Sequence, residues 1–132
     1  MSYEYKLNLK SKVKYSVAVI IPTLNEEKFI AKCLDCLVEQ TYPFEQMDVM
    51  VVDGGSTDTT SALVGEYQKR YANIRLIHNP GKIQSIAFNI GTKNSDAPYI
   101  VRLDAHALYN PDYIEKWIMG LQADENRGNV GG

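Results

Sequence analysis

The sequence lacks any apolar run near the roughly 20 residues that a bilayer-spanning helix needs. Its strongest β-branched stretch, "SVAVII", is too short and too branched for the core of a signal peptide. The chain is therefore expected in the cytoplasm. An excess of one charge sign is also missing: the formal net charge is -2 over 132 residues, with no long like-charge block. A binder of nucleic-acid polymers needs a basic face that displaces counterions, so that class is excluded. Cysteine is scarce, with only Cys33 and Cys36, spaced as C-x-x-C. A zinc site would need two more ligands, and the two histidines, His78 and His106, are the candidates. A redox pair would sit at a helix start, where the thiolate is stabilised, whereas this pair falls mid-helix. Its spacing puts both thiols on one helix face beside Ile30 and Leu37, as packed core cysteines. Repeats, linkers and low-complexity segments are absent.

What is present suits one globular domain. Hydrophobic residues make up 45% and charged residues 23%, an ordinary balance for a folded chain. A chain of this length buries roughly two-thirds of its unfolded surface, enough for a core without staples. Residues 1–15, with "KLNLKSKVK", form a basic N-terminal tail. They read as solvated, with weak contact to an anionic membrane surface as the alternative.

From residue 16 onward strands and helices alternate. "SVAVIIP", "MDVMVVD", "NIRLIH" and "PYIVRLDA" read as strands. "NEEKFIAKCLDCLVEQ" has apolar residues at helical spacing, with Asn25 as its expected cap and Glu26 and Glu27 in its first turn. "STDTTSALVGEYQKRYA" is the second helix, capped by Thr57 or Asp58. "GKIQSIAFNIGTKN" is the third. "PDYIEKWIMGLQADE" is the fourth, with Pro111 in its first turn. "RGNVGG" looks like a turn entering another strand. Short, wholly apolar strands alternating with helices predict an α/β fold, a mostly parallel sheet with helices on both faces.

In such a sheet ligands bind beyond the carboxyl ends of the strands. The segments there are "PTLNEE", "DGGSTD", "HNPGK" and "DAHA". Three of the four carry polar, small or acidic residues suited to a nucleotide. In "DGGSTD" the glycines permit a tight turn and close approach. Asp58 reads as a helix cap, and Asp53, ending a buried strand, as a ligand contact. The dinucleotide fingerprint G-x-G-x-x-G is missing after the first strand, and no P-loop occurs. In an extended backbone Asp104 and His106 would project to the same side, where a carboxylate and an imidazole could share a divalent ion. Taken alone, Asp-x-His is weak evidence for metal.

Four segments in order, "VAVIIPTLNEE", "VMVVDGGSTD", "NPGKIQSIAFNIG" and "YIVRLDAHALYNPDYI", resemble the family 2 glycosyltransferases of the GT-A (Rossmann-like) fold. The likeness covers nearly the whole chain from Ser16, and "DGGSTD" with "LDAHA" looks most like the bacterial succinoglycan and exopolysaccharide type. The resemblance implies that residues 16–132 are the donor-binding part, ending before the acceptor-binding half. It implies a nucleotide-sugar site at Pro22, Thr23, Asn25, Glu26, Asp53, Gly54, Ser56, Lys82, Asp104 and Ala105. Asp53 would hold the base, Lys82 would line the ribose and diphosphate side, and Asp104 with His106 would hold metal. Two departures stand out: Gly54 replaces the second acid of the base-binding pair, and His106 replaces the metal-binding acid. Imidazole is softer than carboxylate, so Mn2+ is expected over Mg2+.

The implied reaction is inverting, metal-assisted transfer from a nucleotide-diphosphate sugar, UDP-linked by expectation, to a glycan or lipid-linked acceptor. The base is expected beyond residue 132. A longer parent protein could associate with the inner face of the cell membrane. An open sheet edge also makes a homodimer an expectation. The alternative is a non-catalytic nucleotide-binding α/β module.

Overall fold

β1, Val17–Thr23, is the strand on which the rest of the sheet is laid. Strands flank it on each side, and its Val and Ile side chains are buried on both faces. The computed structural model describes residues 14–79 and 84–125. Chain order continues with α1 (Ile30–Val38), a 3-10 turn (Phe44–Gln46), β2 (Met47–Asp53) and α2 (Thr60–Arg70). β3 (Ile74–His78), α3 (Gln84–Lys93), β4 (Tyr99–Arg102) and α4 (Tyr113–Glu125) complete it. The strand order is β3-β2-β1-β4, and every pairing is parallel. The expected strands are therefore all present, within a few residues of their expected bounds. The basic tail up to residue 13, Lys82 and the "RGNVGG" tail lie outside the described residues.

Helices cover both faces, as the unbroken apolar strands require. On one face Val17, Val19 and Ile21 pack with Ile30, Leu34 and Leu37 of α1, Val64 of α2, and Ile114 and Ile118 of α4. On the other, Ala18, Ile20, Met50 and Val52 pack against Ala87, Phe88 and Ile90 of α3. Cys33 belongs to the first core, and burial pushes its thiol up to about 12. Cys36 is half-buried, and its thiol donates to the Tyr109 carbonyl at 3.2 Å. Both cysteines are free.

Two expected helix starts shift. α1 begins at Ile30, five residues after Asn25, so Asn25 does not cap it. The segment before it is a turn in which the Glu26 carbonyl accepts the N–H groups of Phe29 and Ile30. Asn25 instead takes a left-handed backbone, φ 53, which asparagine tolerates better than most residues. α4 begins at Tyr113, two residues after Pro111, in a turn whose Asn110 carbonyl accepts the Tyr113 N–H. In contrast, Asp58 does act at the head of α2, where its carboxylate accepts the Thr60 N–H at 2.9 Å.

α3 reaches the sheet only because residue 91 is glycine. A Cβ there would stand 2.5 Å from Ile20 Cδ1 and 2.6 Å from its Cγ1. Ile20 is fully buried and has nowhere to retreat. Gly91→Ala should therefore destabilise the fold by about 1–3 kcal/mol through overpacking. Gly120→Ala, with open space around the site, should be neutral or stabilising by up to about 1 kcal/mol. Urea unfolding of the two variants against the parent chain checks the contrast.

Candidate functional site

The sheet register brings the chemistry-bearing strand ends level. Thr23 ends β1 opposite Asp53 of β2, and Asp53 pairs in turn with His78 of β3. Beyond β4, the Leu103 N–H still bonds the Ile20 carbonyl, which carries Asp104 to the same edge.

Asp53 is only 5% exposed. Its Oδ1 accepts the Thr23 hydroxyl at 2.9 Å and the Ser56 hydroxyl at 2.5 Å. Its Oδ2 accepts the backbone N–H of Gly55 at 3.0 Å and of Ser56 at 2.8 Å. Burial alone would raise this carboxyl, but the hydrogen bonds from Ser56, Thr23 and Gly55 outweigh it and hold the group below the usual range. A carboxylate has about four acceptor positions, and four donors fill them. Asp53 is thus the clasp of its own loop, and a ligand reaching its oxygens has to displace one of these donors. Gly55 allows the clasp by adopting φ 101.

The first two loops are sewn together. The Asn25 side-chain oxygen accepts the N–H groups of Thr57 at 2.8 Å and Asp58 at 3.2 Å, while the Asn25 N–H donates to Ser56 Oγ at 2.8 Å. The Glu26 N–H donates to Thr60 Oγ1 at 2.8 Å. The Glu27 N–H donates to Asp58, and the Glu27 carboxylate accepts the Thr59 N–H and hydroxyl. Hydrogen bonds from Thr59 lower the Glu27 carboxyl. Asp58 is also lowered, because bonds from Thr60 and Glu27 outweigh its desolvation.

The Asp-x-His segment does not stay extended. The Ala107 N–H bonds the Asp104 carbonyl at 3.2 Å, so the chain turns through Ala105 and His106. The ladder to β1 ends with the bond from Leu103 to Ile20, although β1 itself continues to Thr23. The two side chains take different partners. Arg102 Nη2 lies 3.4 Å from Asp104 Oδ1, while His106 Nδ1 lies 3.6 Å from Glu26 Oε2, its ring edge-on to Phe29 with centroids 6.2 Å apart. Ala105 between them is buried in the core. Tyr109, which sequence patterns did not single out, accepts the Asp104 N–H at 2.9 Å through its hydroxyl. Burial raises the Tyr109 phenol, and the nearby Asp104 charge adds to this. Buried Gln40 holds the far side of the loop, donating to the Asn110 carbonyl at 2.7 Å and accepting the Ile114 N–H at 2.9 Å. Gln40 acts on partners 70 and 74 positions away, which no local motif reveals, whereas Tyr109 acts only five residues from Asp104.

Of the expected site residues, Pro22, Thr23, Asn25, Glu26, Asp53, Gly54, Ser56, Asp104, Ala105 and His106 lie at this one edge. Among the described residues no group of three or more His, Cys, Asp or Glu is placed to hold a metal ion. One accessible carboxylate, Asp104, and one accessible imidazole, His106, fit an ion that draws its other ligands from phosphates and water, as Mg2+ and related ions often do.

A family model described as "Glycosyl transferase family 2" matches residues 18–132. The chain belongs to glycosyl transferase family 2. One member, "Dolichyl N-acetyl-alpha-D-glucosaminyl phosphate 3-beta-D-2,3-diacetamido-2,3-dideoxy-beta-D-glucuronosyltransferase" of Methanococcus voltae, is 39% identical over 80% of this chain and 34% of its own length. Another, the succinoglycan biosynthesis protein ExoA of Rhizobium meliloti, is 31% identical over 78% of this chain and 32% of its own. Among solved GT-A structures, TarS of S. aureus in complex with UDP superposes with a TM-score of 0.70 at 26% identity, covering 83% of this chain and 33% of that one. The mannosyltransferase PcManGT of Pyrobaculum calidifontis, in complex with GDP-Man and Mn2+, gives 0.63 at 33% identity, covering 71% and 28%. The chain spans about a third of the length of the curated relatives named here.

The clasp sets a pH dependence. Asp53, Asp58 and Glu27 all have lowered carboxyls, so their stabilisation is present above the ordinary carboxylate values of 3.8 to 4.5 and is lost as pH falls below them. Asp53→Asn cannot accept from all four donors and should cost about 1–3 kcal/mol at pH 7. Urea unfolding at pH 7 and at acid pH should show a smaller pH effect in the variant than in the parent chain.

Proposed function

We propose that this family 2 chain forms the nucleotide-sugar site of an inverting, metal-assisted glycosyltransferase that builds a polysaccharide on a glycan or lipid-linked acceptor. The observation that carries the reading is the convergence of Thr23, Asp53 and Asp104 on one edge of a parallel sheet, beside two loops locked by mutual hydrogen bonds. The UDP, UDP-GlcNAc and GDP-Man bound in similar structures support a nucleoside diphosphate as the common part of the ligand.

On this reading the loops of residues 22–26 and 53–56 receive the nucleoside. Gly54, where a second acid would be expected, presents no side chain to the base, and its N–H is bonded to the Thr23 carbonyl at 2.9 Å. Lys82 lines the diphosphate side. Asp104 and His106 hold the ion, Mn2+ in preference to Mg2+ because of the imidazole. The Glu26 carboxylate stands 3.6 Å from Nδ1 of His106, on the side of the ring away from Nε2. A bound divalent ion supplies Lewis-acid stabilisation of the charge that grows on the leaving diphosphate. The bond from the anomeric carbon to the diphosphate oxygen breaks, and a bond to the acceptor oxygen forms on the opposite face through an oxocarbenium-like state. The acceptor hydroxyl loses its proton to a base that belongs to the acceptor-binding half, beyond residue 132. The place of reaction is the cytoplasm or the inner face of the cell membrane. No helix among the described residues is long and apolar enough to cross a membrane.

Calorimetric titration of UDP, with GDP in parallel, tests the reading. The chain should bind UDP in a Mn2+-dependent way, and His106→Ala should weaken that binding about tenfold or more. Binding that ignores both metal and the substitution would remove His106 from the ion site. No binding of either nucleotide would overturn the donor-site reading.

A further inference from the structure

Arg102 is the last residue of β4, paired with Ile20 at the edge of the sheet. Side chains alternate along a strand, so it leaves the sheet on the face of Ile100, which packs on the α3 side. There it meets Asp104 at 3.4 Å, with the two side chains 40% and 42% exposed. Arg75 in the same sheet shows what a structural arginine looks like. Its guanidinium holds buried Asp48 through two nitrogens, at 3.2 and 3.0 Å, and also the Asn94 carbonyl at 2.6 Å. Arg102 makes one long contact with a described residue, although a guanidinium carries five donors in a flat fork. Among the described residues most of its binding capacity is unused.

The surrounding charge is of the other sign. Glu26, Glu27, Asp53, Asp58 and Asp104 gather around the same loops. A nucleoside diphosphate brings more negative charge to this acidic edge. One divalent ion offsets part of it, and a fixed cation matched to phosphate oxygens is the natural complement. We infer that Arg102 is a second anchor for the diphosphate of the donor and pairs with Asp104 only while ion and donor are absent. The inference rests on the donor-site reading above. The switch follows from Coulomb's law: an ion on Asp104 cancels the attraction that holds Arg102 and repels the guanidinium toward the phosphates. Arg102 would thus contact substrate directly, whereas Tyr109 and Gln40 only position the loop.

The test is titration of UDP and of uridine at saturating Mn2+, on the parent chain, Arg102→Ala and Arg102→Lys. UDP affinity should fall about tenfold or more in Arg102→Ala and less in Arg102→Lys, with uridine binding unchanged. The half-exposed pair contributes little to folding, so circular dichroism and unfolding of both variants should match the parent. Unchanged UDP affinity in Arg102→Ala would overturn the anchor and leave the donor site standing, with Arg102 a mere tether for Asp104. Equal losses for UDP and uridine would also overturn it, since the effect would not lie at the phosphates. A parent chain that binds neither UDP nor GDP would overturn the donor site and the anchor together.

Discussion

Asp53 ends a strand where little water reaches it, and a charged carboxylate is tolerated there only if donors surround it. Ser56 supplies two of the four, and to do so the chain must double back within three residues. That demand places glycine at the left-handed position 55 and draws the loop onto β1 through Thr23. With Ser56 fixed, its hydroxyl is available to the Asn25 N–H, and Asn25 in turn caps the N–H groups of Thr57 and Asp58. The head of α2 and the turn leading into α1 are therefore set by one buried charge. The rigid rim of the site follows from satisfying Asp53, and this role precedes any contact with a ligand.

The second constraint is an excess of negative charge at the carboxyl edge of the sheet. Internal donors absorb much of it: Asp53, Asp58 and Glu27 are held ionised by hydrogen bonds within the loops. Asp104 is different. Its backbone is pinned by Tyr109, but its carboxylate has only the long contact to Arg102 among the described residues. An acid held in position yet poorly paired is suited to an ion that arrives with a ligand. Arg102 keeps positive charge within reach of Asp104, and the Glu26 carboxylate stands beside the His106 ring.

The sheet was largely legible before any coordinates. β1 and β2 are near-continuous runs of Val, Ile and Met, and a run with no polar face has to be covered on both sides. The edge strands were harder to bound, and β4 is shorter than its apolar run suggests. The start of α1 was misplaced for a clear reason. Asn25 looks like a local cap, but its oxygen is bound by N–H groups more than thirty positions away. The extended reading of Asp104 to His106 failed in the same way: alternation holds only while a ladder lasts, and the last rung is Leu103 to Ile20.

Composition and pattern by themselves determined the α/β class, the parallel sheet, the edge at which chemistry gathers, and the acids and glycines found there. These depend on which residues avoid water and on periods of two and 3.6, which any stretch of chain carries within itself. Only the tertiary structure decided what each polar group does. It made Asp53 the clasp of its own loop and turned the backbone between Asp104 and His106. It also brought in Tyr109, Gln40 and Arg102, to which the sequence reading gave no role. Hydrogen bonds and ion pairs are short-ranged and directional, so their partners are known only once distant loops stand side by side.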